Sequence, residues 1–502
     1  MSKTCVIIGG GIGGLFTGAF LAKNGYEVTV LEKNAIIGGG LQCFRRHGKV
    51  FETGMHIAGG FIEGGSLNKI CSYLGIMDRL KIQHVPAECM DELYYRRTGE
   101  VFRIASGREG FIDSLSEYFP EEKQGITAYV NELYRIKDEV KLFSLQEQSD
   151  DSFMNWEKLL VPADELIEKF ISNEKLREIL AYLNPLYSGV KGHTPAYIHA
   201  LLNVLYINGA SRFIGGAQQL AALLKEVIEN NGGQVLAGCE AAYIDVTDRH
   251  LNFVEDTDGN RFTADCYVSA IHPAMMAKMV TTGTFRKSFI HRLNEIPLTS
   301  SAFSVYIDLK PDSFPYIDHT CYFMEDYGNM WNQEKHNSDK APVSFMYMTP
   351  PDENQGRFAS RLLIMCLMDF EEVRKWEHTE TGKRGEEYEH WKNHFAQQAI
   401  NLLSHRYPGL RSQIERVYAA SPLTIRDFYN TKNGAIYGYR KDCRDMFYSR
   451  LPVYTKVDNL FLTGQNIILH GICGVPLTAI ITAEEILGRN VLIRAINEAV
   501  SQ

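Results

Sequence analysis

Long apolar runs are missing from this chain: no stretch of about 18 apolar residues occurs without a charge, so no membrane-spanning helix is expected. A surplus of basic residues is missing too. The 52 Lys and Arg stand against 61 Asp and Glu, a formal net charge of −9, which lacks the electrostatic footprint of a nucleic-acid binder. The acidic cluster in KRGEEYEHWK reads as one solvated helix face. Ten cysteines are present, yet no CxxC pair and no Cys/His ligand spacing occurs. A disulfide framework and a metal site are therefore not expected, and reduced thiols fit a cytoplasmic location. Proline- or serine-rich linkers and internal repeats are also absent. The N-terminal stretch MSKTCVIIGGGIGGLFTGAF has the charge and hydropathy of a signal peptide, but six glycines between Gly9 and Gly18 spoil an apolar helix at roughly 1 kcal/mol each against Ala.

What is there begins at that same place. An apolar strand, Cys5 to Ile8, runs into Gly9-Gly10-Gly11-Ile12-Gly13-Gly14, a GxGxxG turn. Gly9 permits the tight turn, Gly11 lets a pyrophosphate approach the backbone, and Gly14 lets the next helix pack on the strand. A second strand, Glu27 to Leu31, ends at Glu32, placed to accept hydrogen bonds from both hydroxyls of an adenosine ribose, with Lys33 beside it. Strand, glycine turn, helix, strand and acid in that order predict a bound dinucleotide. A chain of 502 residues exceeds one core, and two domains are expected.

A nicotinamide dehydrogenase would continue its parallel sheet here, whereas this chain continues IIGGGLQCFRRHGKVFETGMHIAGG. The run Gly38-Gly39-Gly40 followed by Glu52-Thr53-Gly54-Met55-His56 resembles the second flavin-contacting segment of FAD oxidoreductases of the amine oxidase and phytoene desaturase type. The histidine is most similar to the branch that holds carotenoid isomerases and all-trans-retinol 13,14-reductases. Further matches follow in order along essentially the whole chain: a Gly-Gly turn at Gly215 and Gly216, AAYIDV with Ala241 at the position whose backbone meets the adenine, VSAIHP from Val268 to Pro273, and SPLTIRDFYNTKNGAIYG. The last match is TGQNIILHGICG, from Thr463 to Gly474, which the resemblance makes the other wall of the flavin site. Gly464 and Gln465 end a strand there, and the residues after Gly474, starting with Val475, are expected to open a helix whose positive end faces the flavin. Glutamine replaces the acid that much of the wider family carries, and an amide can both donate and accept.

The resemblance implies an α/β fold: a Rossmann-type FAD-binding domain of the glutathione reductase/amine oxidase type, built from residues 1–75, 213–285 and 421–502, with an inserted α+β substrate domain, 76–212 and 286–420. Noncovalent FAD is expected on Gly9, Gly11, Ile12, Gly13, Gly14, Glu32, Lys33, Gly39, Gly40, Met55, His56, Ala241, Gly464, Gln465, Gly474 and Val475. A flavin supplies the hydride and asks the protein for orientation, a dry cavity and sometimes a proton. His56, His470 and Tyr437 are the candidates for the proton, each with a structural reading beside the catalytic one. Cys43 and Cys473 read as packing residues. YIHALLNVLYI can line an apolar tunnel or fill a core, and Tyr388, Trp391, Phe395, Ala399 and Leu402 share one helix face. The polar stretch MEDYGNMWNQEKHNSDKAP reads as a loop, either a lid over the substrate side or a plain surface excursion. The implied activity is redox chemistry at carbon–carbon double bonds of an apolar polyene, collected by transient contact with a membrane surface. A second GxGxxG for NAD(P)H is missing, so the reductant is another protein or NAD(P)H at a minor site. A flavin amine oxidase and a non-catalytic flavoprotein are the alternatives.

Overall fold

The segment with signal-peptide character is the centre of a sheet. Lys3–Ile8 forms β1, the middle of five parallel strands, flanked by β2 (Tyr26–Glu32) and then Gln234–Ala237 on one side, and by Cys266–Ser269 and then Leu460–Leu462 on the other. The computed structural model describes residues 2–147, 159–333, 341–353 and 355–501. Helix α1 (Ile12–Lys23) is buried from Gly13 to Ala22 because it lies between the sheet and two helices, Gln218–Asn230 and Gly471–Leu487. It stops at Asn24, where Gly25 adopts φ +86°. The sheet is thus assembled from three separated stretches of chain, the arrangement of a Rossmann-type dinucleotide fold.

A second sheet of seven strands runs in the order Ile414–Ala420, Ser301–Leu309, Arg361–Met368, Ser344–Met348, Thr320–Met324, Asp91–Tyr95 and Val101–Ile104. It is antiparallel except where Thr320–Met324 meets Asp91–Tyr95. All nine residues of Ser301–Leu309 are buried because both faces are covered. On one face Phe303, Val305 and Ile307 pack on Phe395, Ala399 and Leu403 of the long helix Glu386–Arg406. Leu403, rather than the expected Leu402, completes that stripe, and Leu402 is only half-buried. The opposite face carries one cross-strand row, Ser304 beside Met365, Met365 beside Met346, and Met346 beside Tyr322. This row points toward the cofactor sheet and sets the floor of the candidate site.

Two expectations change in detail. The domain boundary placed between 212 and 213 falls inside the strand Ala210–Phe213, which pairs with Ala58–Gly59 and with Ile82–His84 and so stitches the two parts together. The stretch from Met324 to Pro342 is not uniformly a surface loop: Met330 and Trp331 are buried, and the Met330 carbonyl accepts from Asn184 Nδ2 at 2.6 Å. Residues 334–340 of that stretch lie outside the described residues. Among the described residues no helix is long and apolar enough to cross a membrane.

Candidate functional site

The glycine turn closes around a carboxylate. Gly9 takes φ +105°, a conformation that suits glycine, and donates its N–H to Leu31 O at 2.8 Å. Gly10 N–H donates to Glu32 Oε2 at 2.8 Å and Asn34 N–H to Glu32 Oε1 at 2.9 Å, so the buried acid at the end of β2 holds the turn in place. Each oxygen keeps a further lone pair for a ligand. The glycines serve different ends. A Cβ at Gly14 would fall inside the Gly9 carbonyl, and one at Gly13 would meet Gly464 Cα at 2.9 Å, whereas a Cβ at Gly11 meets no protein atom within 4 Å. The first two are required by packing. Gly11 opens onto a cavity at the start of α1, where backbone N–H groups have no side-chain cap.

That cavity, of about 1570 Å³, is a trough open to solvent along the carboxyl edge of the parallel sheet. Gly9, Gly11, Ile12 and Gly13 line one part, and Glu32, Lys33 and Ala241 the next. Gly39, Gly40 and Met55 form a further wall, faced by Gly464, Gln465 and Val475. Gly14 stands outside the lining for the packing reason above, and His56 and Gly474 line a neighbouring cavity instead. Tyr429 was not singled out from sequence. Its hydroxyl lies against Gly40 and Gly54, leaving no space for a Cβ at Gly54, and its ring lines the trough. The glycine of Glu52-x-Gly54 was the legible half of that contact.

The second cavity is apolar over most of its wall. The helix Ala196–Ile207 supplies Ile198, Leu201, Leu202, Leu205 and Tyr206, and the second sheet supplies Met346 and Met365. The other side of that helix is core: His199 is fully buried between the hydroxyls of Tyr129 (2.6 Å) and Tyr187 (2.9 Å). A helix apolar all round therefore serves both as lining and as core. Trough and cavity meet at Gly54, Met55, Met365, Tyr437, Gly471 and Ile472, which line both.

Polar groups at this junction are few. His56 is buried and neither ring nitrogen has a hydrogen-bond partner among the described residues; Glu52 Oε2 lies 3.8 Å from its Nδ1. Such an unpartnered imidazole costs about 1–3 kcal/mol unless a ligand or water engages it. His470 packs against Tyr437, with ring centroids 5.0 Å apart. Burial, and then the Lys441 charge, pull the His470 pKa down to about 4, so the ring is neutral near pH 7. The Tyr437 hydroxyl is pushed upward by burial and keeps its proton. At neutral pH the phenol keeps its proton and the neutral imidazole keeps one N–H, so each can donate one hydrogen bond at this wall.

The helix after Thr463-Gly464-Gln465 opens at Gly471, earlier than the expected start after Gly474. Gly471 takes φ +75°, and Thr478 Oγ1 accepts from Leu469 N–H at 3.1 Å and bridges to Gly474 O at 3.1 Å, closing the first turns. Pro476 lies inside the helix and removes the N–H that would reach the Ile472 carbonyl, at the residue that lines both cavities. Cys473 Sγ lies 3.1 Å from Ser66 Oγ, and burial raises its pKa to about 11; Cys43 is likewise raised to about 11 by burial. Both are free thiols. Elsewhere, Glu92, His319 and Cys321 come together, but Glu92 is held by Arg103 (3.2 Å) and Arg406 (2.9 Å), whose charges oppose a cation.

Residues 7–74 match the model for an NAD(P)-binding Rossmann-like domain. The chain is 27% identical to an all-trans-retinol 13,14-reductase of Rattus norvegicus, over 97% of this chain and 86% of the relative. It is 25% identical to prolycopene isomerase 2, chloroplastic, of an Oncidium hybrid cultivar, over 86% of this chain and 74% of the relative. Among solved structures, a CLA-producing fatty acid isomerase from P. acnes superposes with a TM-score of 0.62 at 14% identity, over 97% of this chain and 98% of that one. The last likeness shows a shared fold.

Proposed function

We propose that this chain, a homologue of the all-trans-retinol 13,14-reductases and prolycopene isomerases, is an FAD-dependent oxidoreductase acting on a carbon–carbon double bond of an apolar polyene. The observation that carries the reading is the junction itself, a dinucleotide trough that shares six lining residues with an apolar cavity. The residues present suit FAD. The space beyond Gly11 is what a Cβ there would fill, the uncapped start of α1 offers N–H groups to a pyrophosphate, and Glu32 retains acceptor capacity for a ribose. Gln465 and the start of the helix Gly471–Leu487 offer donors to the flavin end. FAD supplies hydride transfer at its N5 when bound.

The protein's own part is to exclude water, hold the chain and deliver a proton. Burying roughly 500 Å² of polyene against the helix Ala196–Ile207 and the methionine row contributes on the order of 12 kcal/mol gross, before association costs. Tyr437 holds a proton at the shared wall, and His56 offers two unpartnered ring nitrogens to the ligand. A substrate this insoluble is collected from a membrane surface by a protein resident in the cytoplasm, and its electrons come from another protein or from NAD(P)H. Anaerobic titration of reduced holoprotein with a panel of all-trans polyenes tests the reading. Flavin reoxidation with matching loss of polyene absorbance is expected. Reduction of the oxidised flavin by a small amine, with peroxide release in air, would point to an amine oxidase; inertness toward both panels would leave a non-catalytic flavoprotein.

A further inference from the structure

Tyr437 and His470 come from different segments, 436–441 and 463–470, and nothing in either sequence explains how their rings are held 5.0 Å apart. Two buried side chains join the segments. Asn466 Oδ1 accepts from Tyr439 N–H at 3.1 Å, and Gly438, at φ +72°, leaves no space for a Cβ because Asn466 Oδ1 occupies it. The Lys441 ammonium donates to Ile467 O at 3.1 Å, Asn466 O at 3.4 Å and Ser449 O at 3.3 Å. The segment is anchored from behind as well, since Tyr437 N–H donates to Thr299 Oγ1 at 3.1 Å and Thr299 N–H to Gly438 O at 2.9 Å.

We propose that Asn466 and Lys441 form a clip that fixes Tyr437 against His470 at the wall between trough and cavity, and that both are positioning residues for the double-bond chemistry. The inference rests on the function proposed above, but the clip has a readout of its own. Lys441 is 5% exposed, and among the described residues its hydrogen bonds go to backbone carbonyls alone. The charges facing it are Arg450 beside it and Arg292 from the helix Lys287–Glu295, with His470 across the gap. The adjacent Asp442 is turned to His193 at 2.8 Å and Arg440 at 3.9 Å. Burial, then Arg450 and Arg292, pull the Lys441 pKa down to about 7. A charged amine has one N–H for each of the three carbonyls, whereas a neutral amine has only two. Desolvating an amine without a carboxylate is costly, and what it secures here is the backbone that leads to His470.

The test uses FAD-loaded Asn466→Ala, Asn466→Asp and Lys441→Met, with the parent protein as reference. NMR of the His470 ring is followed against pH in each, and flavin reoxidation is timed with a polyene the parent uses. Asn466→Ala is expected to keep stoichiometric FAD, shift the His470 ring signals and lower the reoxidation rate about 10–100-fold. Asn466→Asp keeps the acceptor for Tyr439 N–H and should restore most of the rate and the signals. Lys441→Met should raise the His470 titration midpoint, since the lysine charge now lowers it. Unmoved His470 signals in Asn466→Ala and Lys441→Met would overturn the clip whatever the activity. Rates within twofold of the parent would overturn its part in the chemistry. A parent inert toward every polyene would refute the proposed function while the NMR arm still decides the clip.

Discussion

At the scale of single residues, the glycines of the turn separate ligand space from folding space. Gly11 sits at φ −76° as the N-cap of α1, a conformation any residue adopts, and its missing Cβ borders only the trough. Gly11→Val is therefore expected to fold with a melting temperature near that of the parent, losing at most about 1 kcal/mol, yet to purify without flavin colour. Gly14→Ala places a methyl into the Gly9 carbonyl and is expected to destabilise the fold by about 1–3 kcal/mol or more. Absorbance at the flavin band and thermal unfolding of the two variants check both statements. Stoichiometric FAD on Gly11→Val would remove the pyrophosphate from this turn.

At the scale of elements, the helix Ala196–Ile207 has two jobs that substitution can pull apart. Its His199 side is locked by Tyr129 and Tyr187, while Leu202 is half-buried and faces the apolar cavity. Leu202→Trp should fill part of that cavity and leave the trough untouched. FAD content should stay stoichiometric while reoxidation by a long polyene slows by more than about tenfold, a loss of some 1.4 kcal/mol in binding or positioning. Stopped-flow reoxidation against chain length reads this directly, with short chains least affected. An unchanged rate for the longest polyene would place the substrate elsewhere.

For the whole molecule, stability depends on pH through a carboxyl buried within the second sheet, on the strand Asp91–Tyr95. Asp91 accepts from the Tyr182 hydroxyl at 2.6 Å, and its other oxygen has no partner among the described residues. Burial raises its pKa to about 7, against the opposing pull of Tyr182 and Arg212. Between about pH 4 and 7 the folded protein keeps a proton that the unfolded chain has released, so this group lowers stability as pH rises through that window. Asp91→Asn can still accept from Tyr182 and does not titrate. Its stability relative to the parent should grow between pH 4 and 7, by on the order of 2–4 kcal/mol, at about 1.4 kcal/mol per pH unit. Urea unfolding across that range measures it, and a pH-independent difference would refute the buried acid.

What the sequence determined alone is what short-range stereochemistry dictates. Positive φ at Gly9, close packing at Gly14 and the acid ending β2 follow from neighbours within about one strand-turn-helix unit, and so the dinucleotide turn was legible, as was the family resemblance carried by ordered motifs. Periodicity found the helix Glu386–Arg406 but missed by one residue which leucine its stripe ends on, because Leu402 and Leu403 differ only in what the second sheet presses against them. The start of the helix Gly471–Leu487 was misplaced because Gly471 and Gly474 look alike in sequence, and only the Thr478 contacts decide between them. Tertiary structure alone decided the site's chemistry. The wall shared by Gly54, Met365, Tyr437 and Ile472 joins residues hundreds of positions apart. The neutral state of His470 and the buried amine of Lys441 are set by desolvation and neighbouring charges, which depend on what surrounds a side chain and not on what precedes it in the chain.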